Sequence, residues 1–177
     1  ARALATGAID ALAQPRLARG VADGFARAAW PGRQQILRRN GVRYFIDGAH
    51  NEASIAEAAA WLARVAPGPL PIIVAASRGR DPSSWARSLA PSASRFVATT
   101  TIDAPCAPAD ETAAALRAAG VPVVAAASPA AALNEVVDAD VAVIGSLYLV
   151  GEVLAALGVG VDDLKVYEDA SPRRERA

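Results

Sequence analysis

The sequence has no methionine, and only one cysteine, one histidine and one lysine, in 177 residues. Each scarcity removes a class of chemistry. A lone Cys106 makes neither an intrachain disulfide nor a thiolate zinc site. A lone His50 excludes a multi-histidine metal centre, and any serine–histidine arrangement would have to run through it. A phosphate loop of the form Gly-x-x-x-x-Gly-Lys-Ser/Thr needs a lysine before a hydroxyl, and the only lysine, Lys165, precedes Val166. With no methionine even at position 1, the chain is expected to be a piece of a longer product.

Net charge is also lacking, with 18 basic side chains balanced by 18 acidic ones. No basic stripe interleaved with aromatics invites nucleic acid. The charged tail Arg173-Arg174-Glu175-Arg176 reads as a solvated end. No apolar run reaches the ~20 residues that span a bilayer, and the start is not a signal peptide, so no membrane partner and a cytoplasmic location are expected. What is abundant is apolar residue, 53% of the chain and much of it alanine. That is enough core for one domain and a short extra piece. Alanine favours helix but fills little volume, so helices are easier to place than their packing faces.

Residues 1–13 read as a helix ended by Pro15, and 14–29 as a connector. Arg33–Leu37 and Val42–Ile46 read as two strands around Arg38-Arg39-Asn40-Gly41, because Asn-Gly tolerates the positive φ of a hairpin turn. Glu52–Val65 is helical, with Ile55, Ala59, Leu62 and Ala66 on one face. Strand candidates Leu70–Ala75, Arg95–Thr100, Val121–Ala125 and Val141–Ile144 then alternate with helices Pro82–Leu89, Ala109–Ala119 and Pro129–Val137. A last helix covers about Leu147–Leu157. Short strands that are apolar on both faces belong to a sheet covered on both sides. The expected fold is α/β, a Rossmann-like, mostly parallel sheet with one antiparallel hairpin strand and helices on both faces.

In such sheets ligands bind beyond the carboxyl ends of the strands. The polar segments there are Asp47-Gly48-Ala49-His50-Asn51, Ser77-Arg78-Gly79-Arg80-Asp81, Thr99 to Asp103, and Gly145-Ser146. The first is the densest: Gly48 permits a sharp turn, Asn51 suits a helix N-cap, and Asp47 is expected to face the cleft with His50 at the positive end of a helix. Ser146 and the N–H groups after it suit a carboxylate or phosphate. Ordinary turn and cap chemistry accounts for these residue types as well.

Trp30-Pro31-Gly32-Arg33, Asp47-Gly48-Ala49-His50-Asn51 and Gly145-Ser146-Leu147-Tyr148-Leu149-Val150-Gly151-Glu152, in this order, resemble the C-terminal domain of the folylpolyglutamate synthase/dihydrofolate synthase family of the Mur ligase superfamily. The resemblance runs from about Val21 to Gly158. It implies an ATP-dependent ligase that joins L-glutamate to a folate or dihydropteroate carboxylate through an acyl phosphate. It implies that Arg33 reaches the phosphates, that Asp47 accepts from the ribose hydroxyls, and that His50 and Asn51 line the cleft near the nucleotide, with His50 and Arg33 as the catalytic pair. It implies that Ser146 and Arg80 contact glutamate. Arg80 stands where the family commonly has lysine, and Cys106 where it commonly has arginine after proline. Residues 1–20 then resemble the end of a central ATPase domain, 21–160 the glutamate-ligase domain and 161–177 a tail. The phosphate loop, most Mg²⁺ ligands and the pterin pocket would lie in the missing N-terminal and central domains, and the enzyme is expected to be a monomer. A non-catalytic nucleotide-binding or regulatory module of the same fold, or another Mur-type amino-acid ligase, are the competing readings.

Overall fold

The structure, a computed structural model, describes residues 30–102, 106–137 and 139–160. The chain divides between Trp30 and Pro31 into two units, and everything described below except Trp30 concerns the second. The expected helix at 1–13, the connector at 14–29, the tail at 161–177 and Asp103 lie outside the described residues.

Six strands form one sheet: β1 (Gln35–Arg39), β2 (Val42–Asp47), β3 (Leu70–Val74), β4 (Ala93–Ala98), β5 (Val123–Ala125) and β6 (Val141–Ile144). Their order is β1-β2-β6-β3-β4-β5, with β1 antiparallel to β2 and every other pair parallel. Five helices connect and cover them: α1 (Glu52–Val65), α2 (Ser83–Leu89), α3 (Ala109–Leu116), α4 (Pro129–Asn134) and α5 (Leu147–Ala156). This is the α/β class expected from the double-sided apolar strands. None of the described helices is long and apolar enough to cross a membrane.

Two separate cores prove that both sheet faces are covered. Phe45, Ile72, Val74, Phe96 and Ile144 pack beneath α1, α2 and α3 with Trp61, Leu62, Trp85 and Leu116. Tyr44, Ile46, Ile73, Val97 and Val143 pack on the other side with Leu149, Val150 and Val153 of α5. Neighbouring residues on each strand thus serve opposite cores, as the two-residue side-chain period requires.

Several boundaries move. The first strand begins at Gln35 and keeps Arg38 and Arg39, so the turn is Asn40-Gly41 alone, with φ of 51° and 80°. Both residues sit in the left-handed region that a two-residue hairpin demands. On α1 the buried residues are Ile55, Ala58, Trp61 and Leu62, whereas Ala59 is only half-buried. The bulk of Trp61 sets the face, turning it away from the alanine stripe read from periodicity. Helix α3 tightens into a 3₁₀ turn at Arg117–Ala119, and α4 stops at Asn134.

Candidate functional site

The sheet's topology decides what can meet. The carboxyl ends of β2, β6, β3 and β4 share one edge, and the antiparallel β1 starts there, with Gln35 opposite Ile46. Arg33 therefore arrives at this edge just before β1. Asp47, the last residue of β2, pairs in register with Ile144, the last of β6. Ser146 follows two residues later.

Asp47 is 6% exposed. Its Oδ1 accepts the Ala49 N–H at 2.8 Å and its Oδ2 the Gln34 N–H at 2.9 Å. The Arg33 guanidinium stands 3.7 Å from Oδ1. A buried carboxylate needs this satisfaction, and two N–H bonds still leave it lone pairs to offer a ligand. Asp47 ties the entry of β1 to the exit of β2. Gln34 has a φ of 44°, a left-handed conformation that costs a residue with a Cβ about 1–2 kcal/mol.

Next along the chain, the Gly48 N–H donates to the Gly32 carbonyl at 2.7 Å. A Cβ on Gly48 would lie 2.4 Å from Leu147 Cδ2, and one on Gly32 would lie 3.0 Å from Val150 Cγ1. Both glycines therefore lie under the first turn of α5. Pro31-Gly32-Arg33, Asp47-Gly48 and Ser146-Leu147, widely separated in sequence, close on one another here.

His50 Nδ1 lies 3.0 Å from the Gly48 carbonyl oxygen. A carbonyl only accepts, so Nδ1 carries the proton in the neutral ring and Nε2 is left as its acceptor. Asn51 caps α1 by accepting the Ser54 N–H at 3.0 Å, while Ser54 Oγ accepts the Asn51 N–H at 3.1 Å. This reciprocal capping box fixes the loop that carries His50. Ser146 is 3% exposed and caps α5, its Oγ accepting the Tyr148 N–H at 3.2 Å; the hydroxyl keeps its own proton to donate. Gly145 precedes it at φ 131°, where a Cβ would come within 2.3 Å of the Ala75 carbonyl oxygen. Only glycine lets β6 turn into α5 so close to β3.

Arg80 stands apart from this group. Its loop turns by an Arg80 N–H bond to the Ser77 carbonyl at 3.1 Å. Its exposed side chain lines a cleft of about 240 Å³ with Asp81, Pro82, Ala107, Glu111, Thr112 and Ala115. Asp81 is held below the ordinary carboxylate range by the Ser83 hydroxyl and then the Ser83 N–H. The Thr112 hydroxyl is buried and, among the described residues, without a hydrogen-bond partner. Cys106, 5% exposed, accepts a bond from the Thr101 hydroxyl at 2.9 Å. Sequence reasoning passed over Thr112, Gln34 and Gln35; for the last two, the only signal was polar residues at the head of a strand.

Comparison with known proteins identifies the family of this fold. The family model described as Mur ligase, glutamate ligase domain, matches residues 32–151. No curated protein sequence matches. Among solved structures, the chain is similar to Mycobacterium tuberculosis folylpolyglutamate synthase complexed with ADP and AMPPCP. The TM-score is 0.69 at 22% identity, over 77% of this chain and 34% of that one. It is similar to Thermotoga maritima folylpolyglutamate synthase, with a TM-score of 0.68 at 24% identity, over 78% and 34%. It is also similar to the Yersinia pestis bifunctional folylpolyglutamate synthase/dihydrofolate synthase complexed with AMPPNP and a Mn ion, with a TM-score of 0.63 at 23% identity, over 75% and 32%. The chain thus spans about a third of the length of these relatives. With the fold and the family model in agreement, this chain belongs to the Mur ligase family through its glutamate ligase domain.

Proposed function

We propose that the chain is the C-terminal part of an ATP-dependent ligase that joins L-glutamate to a folate or dihydropteroate carboxylate. The observation that carries this reading is the closure of the three segments: Gly48 bonded to Gly32, both under Leu147 and Val150, with Arg33 on Asp47. The acceptor carboxylate attacks the γ-phosphorus of ATP and ADP leaves. The glutamate amine then attacks the acyl carbon, the carbon–oxygen bond to phosphate breaks, and the amine gives up a proton.

In this reading Arg33 lends a permanent positive charge to the transferring phosphoryl group. Asp47 accepts from the ribose hydroxyls with the lone pairs its backbone partners leave. His50 and Asn51 line the nucleotide side, and Nε2 of His50 is the open acceptor there. Ser146 and Arg80 receive glutamate carboxylates. Magnesium enters as part of the MgATP substrate. Among the described residues no three His, Cys, Asp or Glu side chains group so as to hold a metal ion. The phosphate loop and pterin pocket belong to upstream domains that close on this one, and the enzyme works as a cytoplasmic monomer.

The test is ADP release by the full-length protein with ATP, glutamate and either dihydropteroate or a reduced folate. ADP release that requires both glutamate and the acceptor, with one glutamate added per ATP, is the expected outcome. ATP turnover indifferent to both would overturn the reading in favour of a nucleotide-binding module. The isolated 177-residue chain should turn over no ATP.

A further inference from the structure

We propose that Gln35 is a positioning residue for Arg33: its buried side-chain amide fixes the loop that aims the guanidinium. The inference rests on the reading of Arg33 given above. Arg33 makes one polar side-chain contact among the described residues, at 3.7 Å to Asp47, and its side chain is 40% exposed. That separation is too long for a hydrogen bond, and a half-exposed ion pair holds a long side chain only weakly. The direction of Arg33 must therefore be set by its backbone.

Both neighbours of Arg33 are tied. Gly32 donates its N–H to Gln35 Oε1 at 2.9 Å, and Gln34 donates its N–H to Asp47 Oδ2 at 2.9 Å. Gln35 is 3% exposed although it is a polar residue at the start of an edge strand. Since a backbone N–H can only donate, the amide must present its oxygen to Gly32. The bond closes residues 32–35 into a tight arc with Arg33 inside it. Gly32, at φ 74°, and Gln34, at φ 44°, both stand in the left-handed region. Gln34 holds that unfavourable conformation only while the arc is closed. Releasing Gly32 from Gln35 lets Gln34 relax to negative φ, which swings the Cα–Cβ bond of Arg33 away from Asp47.

The experiment compares Gln35→Met, which keeps length and loses the acceptor, with Gln35→Glu, which keeps an acceptor but buries a charge near Asp47. Both are made in the full-length protein. In Gln35→Met, hydrogen exchange at the Gly32 and Gln34 amides should rise at least about tenfold, with Phe45 and Val143 unchanged; kcat/KM should fall by about 10- to 100-fold. In Gln35→Glu, the protein should melt earlier yet keep the Gly32 protection and most of the activity. Added to Arg33→Ala, Gln35→Met should cost no further activity, since both act through one group. Unchanged Gly32 and Gln34 exchange in Gln35→Met would overturn the proposal, as would a full further loss of activity on top of Arg33→Ala. A wild-type protein without ligase activity would sink the functional reading instead, and the exchange measurement would still decide whether Gln35 closes the arc.

Discussion

Two corners of one sheet edge are built in opposite ways. Where β1 starts and β2 and β6 end, Asp47 and Ser146 are buried, two glycines lie under α5, and the Gln34 N–H bond to Asp47 and the Gly48 N–H bond to Gly32 cross between separate segments. Where β3 and β4 end, Arg80 and Asp81 are exposed and their bonds run to residues two or three positions away. In the function proposed above, the tied backbone of the first corner suits charge stabilisation of a reacting group, and the exposed second corner suits capture of a substrate carboxylate.

The largest expected difference between them lies in two glycines. Gly145→Ala places a Cβ against the Ala75 carbonyl oxygen at a φ of 131°. Backbone on both sides has no room to give, so the loss should be about 3 kcal/mol or more, or failure to fold. Gly79→Ala, in the Arg80 loop, keeps a φ of 79° but meets nothing within 4 Å. It should cost only the left-handed conformation, about 1 kcal/mol. Thermal or denaturant unfolding compares the two, and equal losses would erase the distinction between the corners.

Kinetics sharpen it next. Arg33→Ala in the full-length protein should lower kcat by about 100-fold, the cost of removing one fixed charge from a phosphoryl transfer. Arg80→Ala should raise KM for glutamate about tenfold and leave kcat nearly unchanged, as loss of uniform binding does. The reverse pattern would move the chemistry to the β3–β4 corner.

How much of this was legible in the sequence follows the same division. The strands were readable because Val, Ile and Phe fill both faces of each. Asn40-Gly41 announced its hairpin, and Asn51 its cap. The start of β1 was read two residues early because no residue type signals the positive φ of Gln34. The bond from Gln34 to Asp47 joins residues 13 apart, beyond the reach of any local pattern. The face of α1 was turned because alanine marks a helix without marking its buried side, and only packing showed that Trp61 decides it. At the β3–β4 corner Arg80 was identified from the sequence, but the cleft around it depends on how α3 approaches, which no local pattern encodes.

A smaller effect tests the opposite ends of β2 and β6. Asp140, just before β6, accepts the Arg43 N–H at 2.9 Å and its Nε at 2.9 Å. Burial pushes its carboxyl up, but the Arg43 hydrogen bonds, with the charges of Arg43 and Arg38, outweigh it and hold it below the ordinary value. A carboxyl depressed in the folded state stabilises fully above its unfolded pKa, about 3.9, and loses that contribution as pH falls through the folded value. Asp140→Asn should therefore cost about 1–2 kcal/mol at neutral pH, and the gap to wild type should narrow as pH drops below about 4. Unfolding curves at pH 7 and pH 3 measure it. A constant gap would show that the charge of Asp140 contributes nothing.

The smallest effect has the opposite sign. Thr112, in α3 beside the Arg80 cleft, is 1% exposed and its hydroxyl has no hydrogen-bond partner among the described residues. A buried, unsatisfied hydroxyl forgoes its water bonds and gains nothing in return, a burden of about 1–3 kcal/mol. Valine has nearly the same shape and carries a methyl in place of that hydroxyl. Thr112 and Ala107 are both buried at the wall of this cleft. The β-branched shape is unchanged and helix propensity barely differs. Thr112→Val should leave stability unchanged or raise it by up to about 1 kcal/mol. An equivalent removal of polar bonding in the first corner, Asn51→Ala, should instead cost about 1 kcal/mol, because it strands the Ser54 N–H that Asn51 accepts. Thermal unfolding of the two variants side by side gives the comparison. A clear loss in Thr112→Val would mean that the hydroxyl has found a partner in solution, such as a bound water, and the Arg80 corner would then be as tightly organised as the one around Asp47.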